Sequence, residues 1–341
     1  MRAIVVRSYG GPEALRLEEL AAPVPGPGQV RIRVHAAAVN PVDVLVRSGL
    51  ANQIGMLPDR DGVGVGWDVA GVVDAVGEPL TQPVGEVGEP LTPTAGEAGG
   101  EAGGGTEVGA ARFAVGDRVI GLADRLDVPT AGYAEQLVLD ATSVAAAPAG
   151  VSFEAAATLP LNGLTAAQGL AGLGLRAGQT LLVTGAAGAV GGYAVELAVA
   201  AGLRVVAAAS ARDEGLVRGF GATLFVPREA ELGAAVRALV PGGVDGVLDA
   251  AAIGVRALDA LRGGGSFASV TGPATPPALR GTRVHTVFVR ADGRQLAELV
   301  AMVEAGTLTP RVAETFPLEK AAAAHRRFAE GGIRGRLVLV P

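Results

Sequence analysis

Three glycines spaced in threes, Gly185, Gly188 and Gly191, stand between the apolar run Leu181-Leu182-Val183 and a helix-forming stretch. Glycine permits positive φ and lets a ligand or another backbone come close. A helix start offers unpaired N–H groups and the positive end of its dipole, which together suit a phosphate. Gly185-Ala186-Ala187-Gly188-Ala189-Val190-Gly191 is therefore a candidate pyrophosphate cradle. Its pattern, G-x-x-G-x-x-G, departs from the G-x-G-x-x-G of most dinucleotide folds. A tight turn in a chain with 52 glycines would satisfy it as well.

The next apolar run, 203–209, narrows the chemistry. NAD-binding folds use a carboxylate near this strand end to bind the ribose 2′-hydroxyl. Here the strand end reads Ser210-Ala211-Arg212, a hydroxyl and a guanidinium with no carboxylate among them. Arginine offers a planar fork of donors matched to phosphate, so the expected cofactor is NADP(H). Arg228 follows a third apolar run, 223–226. It either reaches the adenine or 2′-phosphate or is a solvated surface arginine, and the sequence leaves both readings open.

Elements of a definite kind must hold these groups. Segments 246–250 and 266–270 read as further strands with helical stretches between them. Strands alternating with helices imply right-handed βαβ units and a parallel sheet. The predicted fold class is α/β, with a Rossmann-type cofactor domain over 153–291. Residues 1–76 and 112–150 instead carry short β-like runs at 3–6, 29–34, 70–76, 118–120 and 133–139, punctuated by Gly and Pro, which predicts a smaller, mostly β domain. The stretch 153–174 reads as helix broken near Pro160. A strand at 284–289 and helices at 294–305 and 319–330 follow. A last strand at 336–340 returns to the first domain. The expected division is 1–152 with 292–341, and 153–291.

Charge and composition exclude several classes. The chain has no cysteine, so disulfides, thiolate catalysis and cysteine-based zinc sites are ruled out. Its net charge of −6 arises locally: residues 78–111 hold six glutamates and no Lys or Arg, and the other 28 acidic residues balance 28 basic ones. No basic field for nucleic acid or an anionic membrane is present, and no apolar run suits a membrane span. A cytoplasmic protein is the expectation. The 78–111 segment repeats GEPLT and ends in a Gly/Glu/Ala tail without aromatics. Such a composition buries too little apolar surface to order itself, so it reads as a flexible, tolerated insertion between two strands.

Taken jointly, VNPVDVLVRSG (39–49), GWDVAGVV (66–73), FAVGDRV (113–119), GYAEQ (132–136), AATLPLNGLTA (156–166), TGAAGAVG (184–191) and VFV (287–289) resemble the medium-chain dehydrogenase/reductase superfamily. Within it they are most similar to the zinc-independent quinone oxidoreductases related to zeta-crystallin. The resemblance covers nearly the whole chain outside 78–111. It implies a GroES-like, mostly β catalytic domain and gives the three-spaced glycine turn a precedent. Zinc alcohol dehydrogenases of this superfamily carry ligands where this chain has Asn40 and Trp67, neither a plausible zinc donor. No metal is therefore expected.

By the same resemblance Asn40 sits at the nicotinamide end of the cleft, Thr165 faces the cofactor, and Phe288 and Val289 line the nicotinamide pocket. From the residues alone, Asn40 before Pro41 is a good helix N-cap, Thr165 is a helical hydroxyl bonded to its own backbone, and 288–289 is a core strand. Asp43 and Arg47, spaced i, i+4, read as an exposed ion pair, and Asp68 as a buried structural carboxylate. The resemblance also implies a homodimer paired through the 284–289 strand, and a small apolar acceptor as substrate. Tyrosines common in such enzymes are replaced by Leu45 and Leu50, which leaves no evident side-chain acid. Hydride transfer to a quinone or another activated carbonyl or alkene is the expected reaction. An enoyl reductase of polyketide-like substrates and a non-catalytic NADPH-binding protein are the alternatives.

Overall fold

The computed structural model describes residues 1–57, 62–79, 112–125 and 128–341. Most of the expected 78–111 insertion lies outside the described residues. Six strands form one wholly parallel sheet in the order Leu224–Pro227, Arg204–Ala209, Thr180–Thr184, Val244–Asp249, Leu261–Ser269, Arg283–Thr286. In chain order this is 3-2-1-4-5-6, the Rossmann arrangement, with its switch point between the first and fourth strands. Side chains alternate across each strand. Leu181, Val183, Val205 and Ala207 pack into one core, and Leu182, Val206, Ala208 and Phe267 into another on the opposite face. Both faces are covered, which is why these strands read as unbroken apolar runs.

A second, seven-stranded sheet runs Val312–Pro317, Arg336–Val340, Gln29–Ala38, Asp68–Val76, Arg118–Leu122, Val144–Ala146, with Gln136–Asp140 also paired to Gln29–Ala38. Arg2–Val6 forms a small sheet with Leu15–Glu19 and Val63–Gly64. The mostly β region closes around its own core of Val30, Ile32, Val69, Tyr133 and Leu337. The strand Arg336–Val340 does return to it, pairing antiparallel at Ala37 and Ala38. The broken helix is found as Phe153–Ala156 and Pro160–Leu173.

Two expectations need correction. The strand expected at 284–289 ends at Thr286, because its neighbour ends at Ser269 and the last ladder bond is Val287 N–H to the Ser269 carbonyl. The strand Val312–Pro317 was not expected at all.

Candidate functional site

At the carboxyl ends of the parallel strands lies an open cavity of about 760 Å³. The turn that feeds it is built by its glycines. Gly185 adopts φ +60°, in the left-handed region. A Cβ on Gly191 would overlap the Gly185 carbonyl oxygen, so helix Ala189–Ala200 can sit this close only with glycine there. Gly188 opens that helix as its N-cap and borders the cavity.

Of the predicted cradle, Gly185, Ala187 and Gly188 line the cavity. Ala186, Ala189 and Gly191 are buried behind it, with the Ala186 N–H engaged by the Ala208 carbonyl at 3.1 Å. Val190 packs into the core. The N–H groups of residues 189–191 head the helix and have no carbonyl one turn back.

Beside the switch point Thr184 Oγ1 donates to Asp249 Oδ1 at 2.5 Å and accepts from Ala251 N–H at 3.1 Å. Asp249 Oδ2 takes Gly254 N–H at 2.7 Å. This carboxylate ties the ends of two adjacent strands and fixes the shape of the cavity wall.

The far end of the cavity gathers Ser210, Arg212 and Arg228, three residues the sequence singled out separately. Arg212 is exposed, and among the described residues no side chain pairs with it. Arg228 is anchored by its N–H on the Ala209 carbonyl at 2.7 Å and rests on Glu229 in an exposed pair. The expectation that no carboxylate stands near this strand end is corrected. Asp213, one residue past Arg212, also lines the cavity, as do Arg256, Glu330 and Arg334. Sequence reasoning missed Glu330 and Arg334 because 330–335, EGGIRG, follows the parallel sheet by more than forty residues. An arginine set among glycines was the available signal.

Asn40 and Thr165 lie elsewhere. Asn40 is fully buried and occupies the N-cap of helix Pro41–Arg47, with its N–H donated to the Asp43 carboxylate. Its Nδ2 donates to Asp68 Oδ2 at 2.7 Å, while its Oδ1 accepts from Asn162 Nδ2 at 3.3 Å. Asp68 Oδ1 accepts Leu161 N–H at 2.6 Å, and Arg336 donates through Nε to Asn162 Oδ1 at 3.0 Å. This chain of polar groups joins the β region to helix Pro160–Leu173. Thr165, on that helix, bonds the Leu161 carbonyl at 2.6 Å. Phe288 is 71% exposed and faces outward, and Val289 packs on the core. Leu45 packs into the β core, and Leu50 stands at the surface.

Asp43 and Arg47 do not form the expected exposed pair. Both are buried, and Asp43 accepts from Asn40 N–H at 2.7 Å, Gly66 N–H at 3.1 Å and the Tyr133 hydroxyl at 3.0 Å. The Tyr133 oxygen also lies 3.2 Å from Nε2 of buried His325. Burial, with Arg47 nearby as a second cause, pushes His325 down to about 3.

That shift carries a testable sign. The folded imidazole stays neutral while the unfolded one takes a proton below its ordinary 6.5. His325 therefore subtracts stability as pH falls from 6.5 toward 3. His325→Gln should lose less Tm than the unmodified chain between pH 6.5 and 4.5. Asp43 and Asp68, pushed up to about 7 chiefly by burial, act in the opposite sense over that range. They are common to both proteins, so the difference reports His325. A difference in Tm that does not vary with pH would count against this account.

Residues 26–149 match a family profile described as an alcohol dehydrogenase GroES-like domain, and 220–339 one described as a zinc-binding dehydrogenase. The chain is 48% identical to a quinone oxidoreductase of Sus scrofa over 82 residues, 24% of each chain, so the match spans about a quarter of that relative's length. Over its full length it superposes on a solved NAD-dependent alcohol dehydrogenase with TM-score 0.80 and 31% identity, all of that chain covered. It also superposes on the quinone oxidoreductase from Coxiella burnetii with TM-score 0.78, 26% identity and 99% of that chain covered. With a GroES-like region, a Rossmann sheet in the order just described and a relative 31% identical over its whole length, the chain belongs to the medium-chain dehydrogenase/reductase superfamily.

Proposed function

We propose that this chain is an NADPH-dependent, zinc-independent oxidoreductase that reduces a quinone or another activated carbonyl or alkene. The observation that carries the reading is the cavity at the switch point, walled by Gly185 and Gly188 and ending at Ser210, Arg212 and Arg228. A solved mycobacterial relative, 28% identical over the whole chain with TM-score 0.76, is described as complexed with NADPH. Residues 153–291 would bind the cofactor, and 1–152 with 292–341 the acceptor.

NADPH, when bound, supplies the hydride. The turn at 185–188 and the helix that follows would hold the pyrophosphate, and Arg212 with Ser210 the 2′-phosphate. Asn40, fully buried and held by Asp68 and Asn162, would act on the nicotinamide end only indirectly, by fixing the junction between the β region and helix Pro160–Leu173. Orientation of the two reactants is the main contribution available to these side chains. No tyrosine stands at 45 or 50, and Tyr133 is sequestered between Asp43 and His325, so the product proton would come from solvent.

The residues do not fit a catalytic zinc. Asn40 is bound to Asp68 and Asn162, Trp67 offers no lone pair, and Asp68 is fully buried and already accepts two hydrogen bonds. A homodimer fits the open edge at Arg283–Thr286 beside exposed Phe288.

Arg212→Ala tests the reading. A charge-assisted bond to phosphate contributes about 1.5–3 kcal/mol, so NADPH affinity should fall about 10- to 100-fold while NADH affinity barely changes. Equal effects on the two cofactors would refute the assignment. NADPH oxidation against a panel of quinones and enones then identifies the acceptor class.

A further inference from the structure

The carboxylate that sequence reasoning missed raises a second question about the same cavity. Asp213 is only 8% exposed and is the fourth residue beyond strand Arg204–Ala209, close to the strand end at which dinucleotide folds keep the carboxylate that binds a ribose 2′-hydroxyl. A bare carboxylate there would repel a 2′-phosphate. Asp213 is not bare. Arg334 Nε donates to its Oδ1 at 2.8 Å and Arg334 Nη2 to its Oδ2 at 2.6 Å, a two-pronged pair. Arg334 Nη1 is in turn held by the Gly332 carbonyl at 2.6 Å. The partners are 121 positions apart. One follows the parallel sheet's second strand, the other precedes the strand Arg336–Val340 of the seven-stranded sheet.

Both residues line the cavity with Ser210, Arg212 and Arg228. The charges facing that end are the guanidinium groups of Arg212, Arg228, Arg256 and Arg334 and the carboxylates of Asp213 and Glu330. With Arg334 docked, Asp213 contributes neither net charge nor a free pair of acceptors, and Arg212 is left unopposed beside it. With Arg334 removed, the same carboxylate would favour a 2′-hydroxyl and oppose a 2′-phosphate.

We infer that Arg334 determines cofactor choice by covering Asp213, so that the chain carries groups for both NADPH and NADH and the ion pair selects the phosphorylated one. This rests on the cofactor reading above and adds to it a residue from the opposite side of the cleft. Arg334 acts here through Asp213, as a positioning residue.

The test is a set of dissociation constants for NADPH and NADH, measured by titration on the full chain. Arg334→Met should weaken NADPH about tenfold or more, since it leaves like charges facing each other, and should tighten NADH. Asp213→Asn in the Arg334→Met background should restore NADPH to within about threefold of the unmodified chain and abolish the gain for NADH. Arg334→Gln, which keeps a donor on Asp213 but no charge, should shift both constants the same way by less, and replaces Arg334→Met if that variant does not fold. The inference is overturned if losing Arg334 weakens both cofactors alike, or if Asp213→Asn fails to restore NADPH. An unmodified chain that binds neither cofactor would sink the parent reading. One that prefers NADPH through Arg212 yet ignores Arg334 would sink this inference alone.

Discussion

Asp68→Ala should destabilise the chain by about 2–6 kcal/mol, the largest effect expected of any single change considered. Both oxygens of Asp68 are in use, one on Leu161 N–H at 2.6 Å and one on Asn40 Nδ2 at 2.7 Å, and no water reaches the residue. Removing it orphans two buried donors, at about 1–3 kcal/mol each. It also leaves the buried Arg336 guanidinium without the carboxylate that favours its charge. Asp68→Asn keeps one acceptor oxygen and should lose about half as much. Urea unfolding reads the difference as a shift in midpoint at constant slope. If Asp68→Ala moves the midpoint no more than an average surface substitution, the network does not bind the β region to helix Pro160–Leu173.

Gly191→Val should cost about 3 kcal/mol, the upper end for overpacking, and should lower kcat/KM with NADPH about 100-fold. The new Cβ would meet the Gly185 carbonyl oxygen, a backbone atom that cannot rotate aside. The helix and the turn must separate, and displacing a positioned group by about 1 Å can cost two orders of magnitude in rate. Gly188→Ala is the control, because its Cβ would meet only the Gly185 oxygen, at 3.1 Å. It should fold normally and weaken the cofactor alone. Equal stability of Gly191→Val and the unmodified chain would show that the turn relaxes freely.

The legible parts of this structure are those where one local pattern decided the outcome. The strand Thr180–Thr184 is apolar on both faces because both are covered, so five residues announce it. The strand Val312–Pro317 was illegible because it carries Glu314, Thr315 and Pro317 along a half-exposed sheet edge, and only its pairing with Arg336–Val340 makes it a strand. Arg228 could be read two ways from its surroundings in sequence, and only the fold sets it, still largely exposed, on one cavity with Ser210 and Arg212. The i, i+4 spacing of Asp43 and Arg47 was misleading in the same way. It describes an isolated helix, whereas this one lies buried against Gly66 and Tyr133, which supply the donors that the spacing assigned to arginine. The Asp213–Arg334 pair had no joint signature in the sequence, since its two partners lie 121 positions apart.

The pairing of Ala38 with Val338 spans 300 positions of chain and encloses every strand of the parallel sheet. On a ribosome, the seven-stranded sheet lacks its Arg336–Val340 member until the other sheet has entirely emerged. Neighbouring strands of the parallel sheet are mostly close in sequence, whereas this one contact is among the most distant in the molecule, and distant contacts form late. During synthesis the edge of Gln29–Ala38 that will receive Arg336–Val340 therefore waits unpaired, exposing the backbone of Ala37 and Ala38. That interval, rather than any weakness of the finished fold, is when this chain is most open to capture by a chaperone or by a second nascent copy.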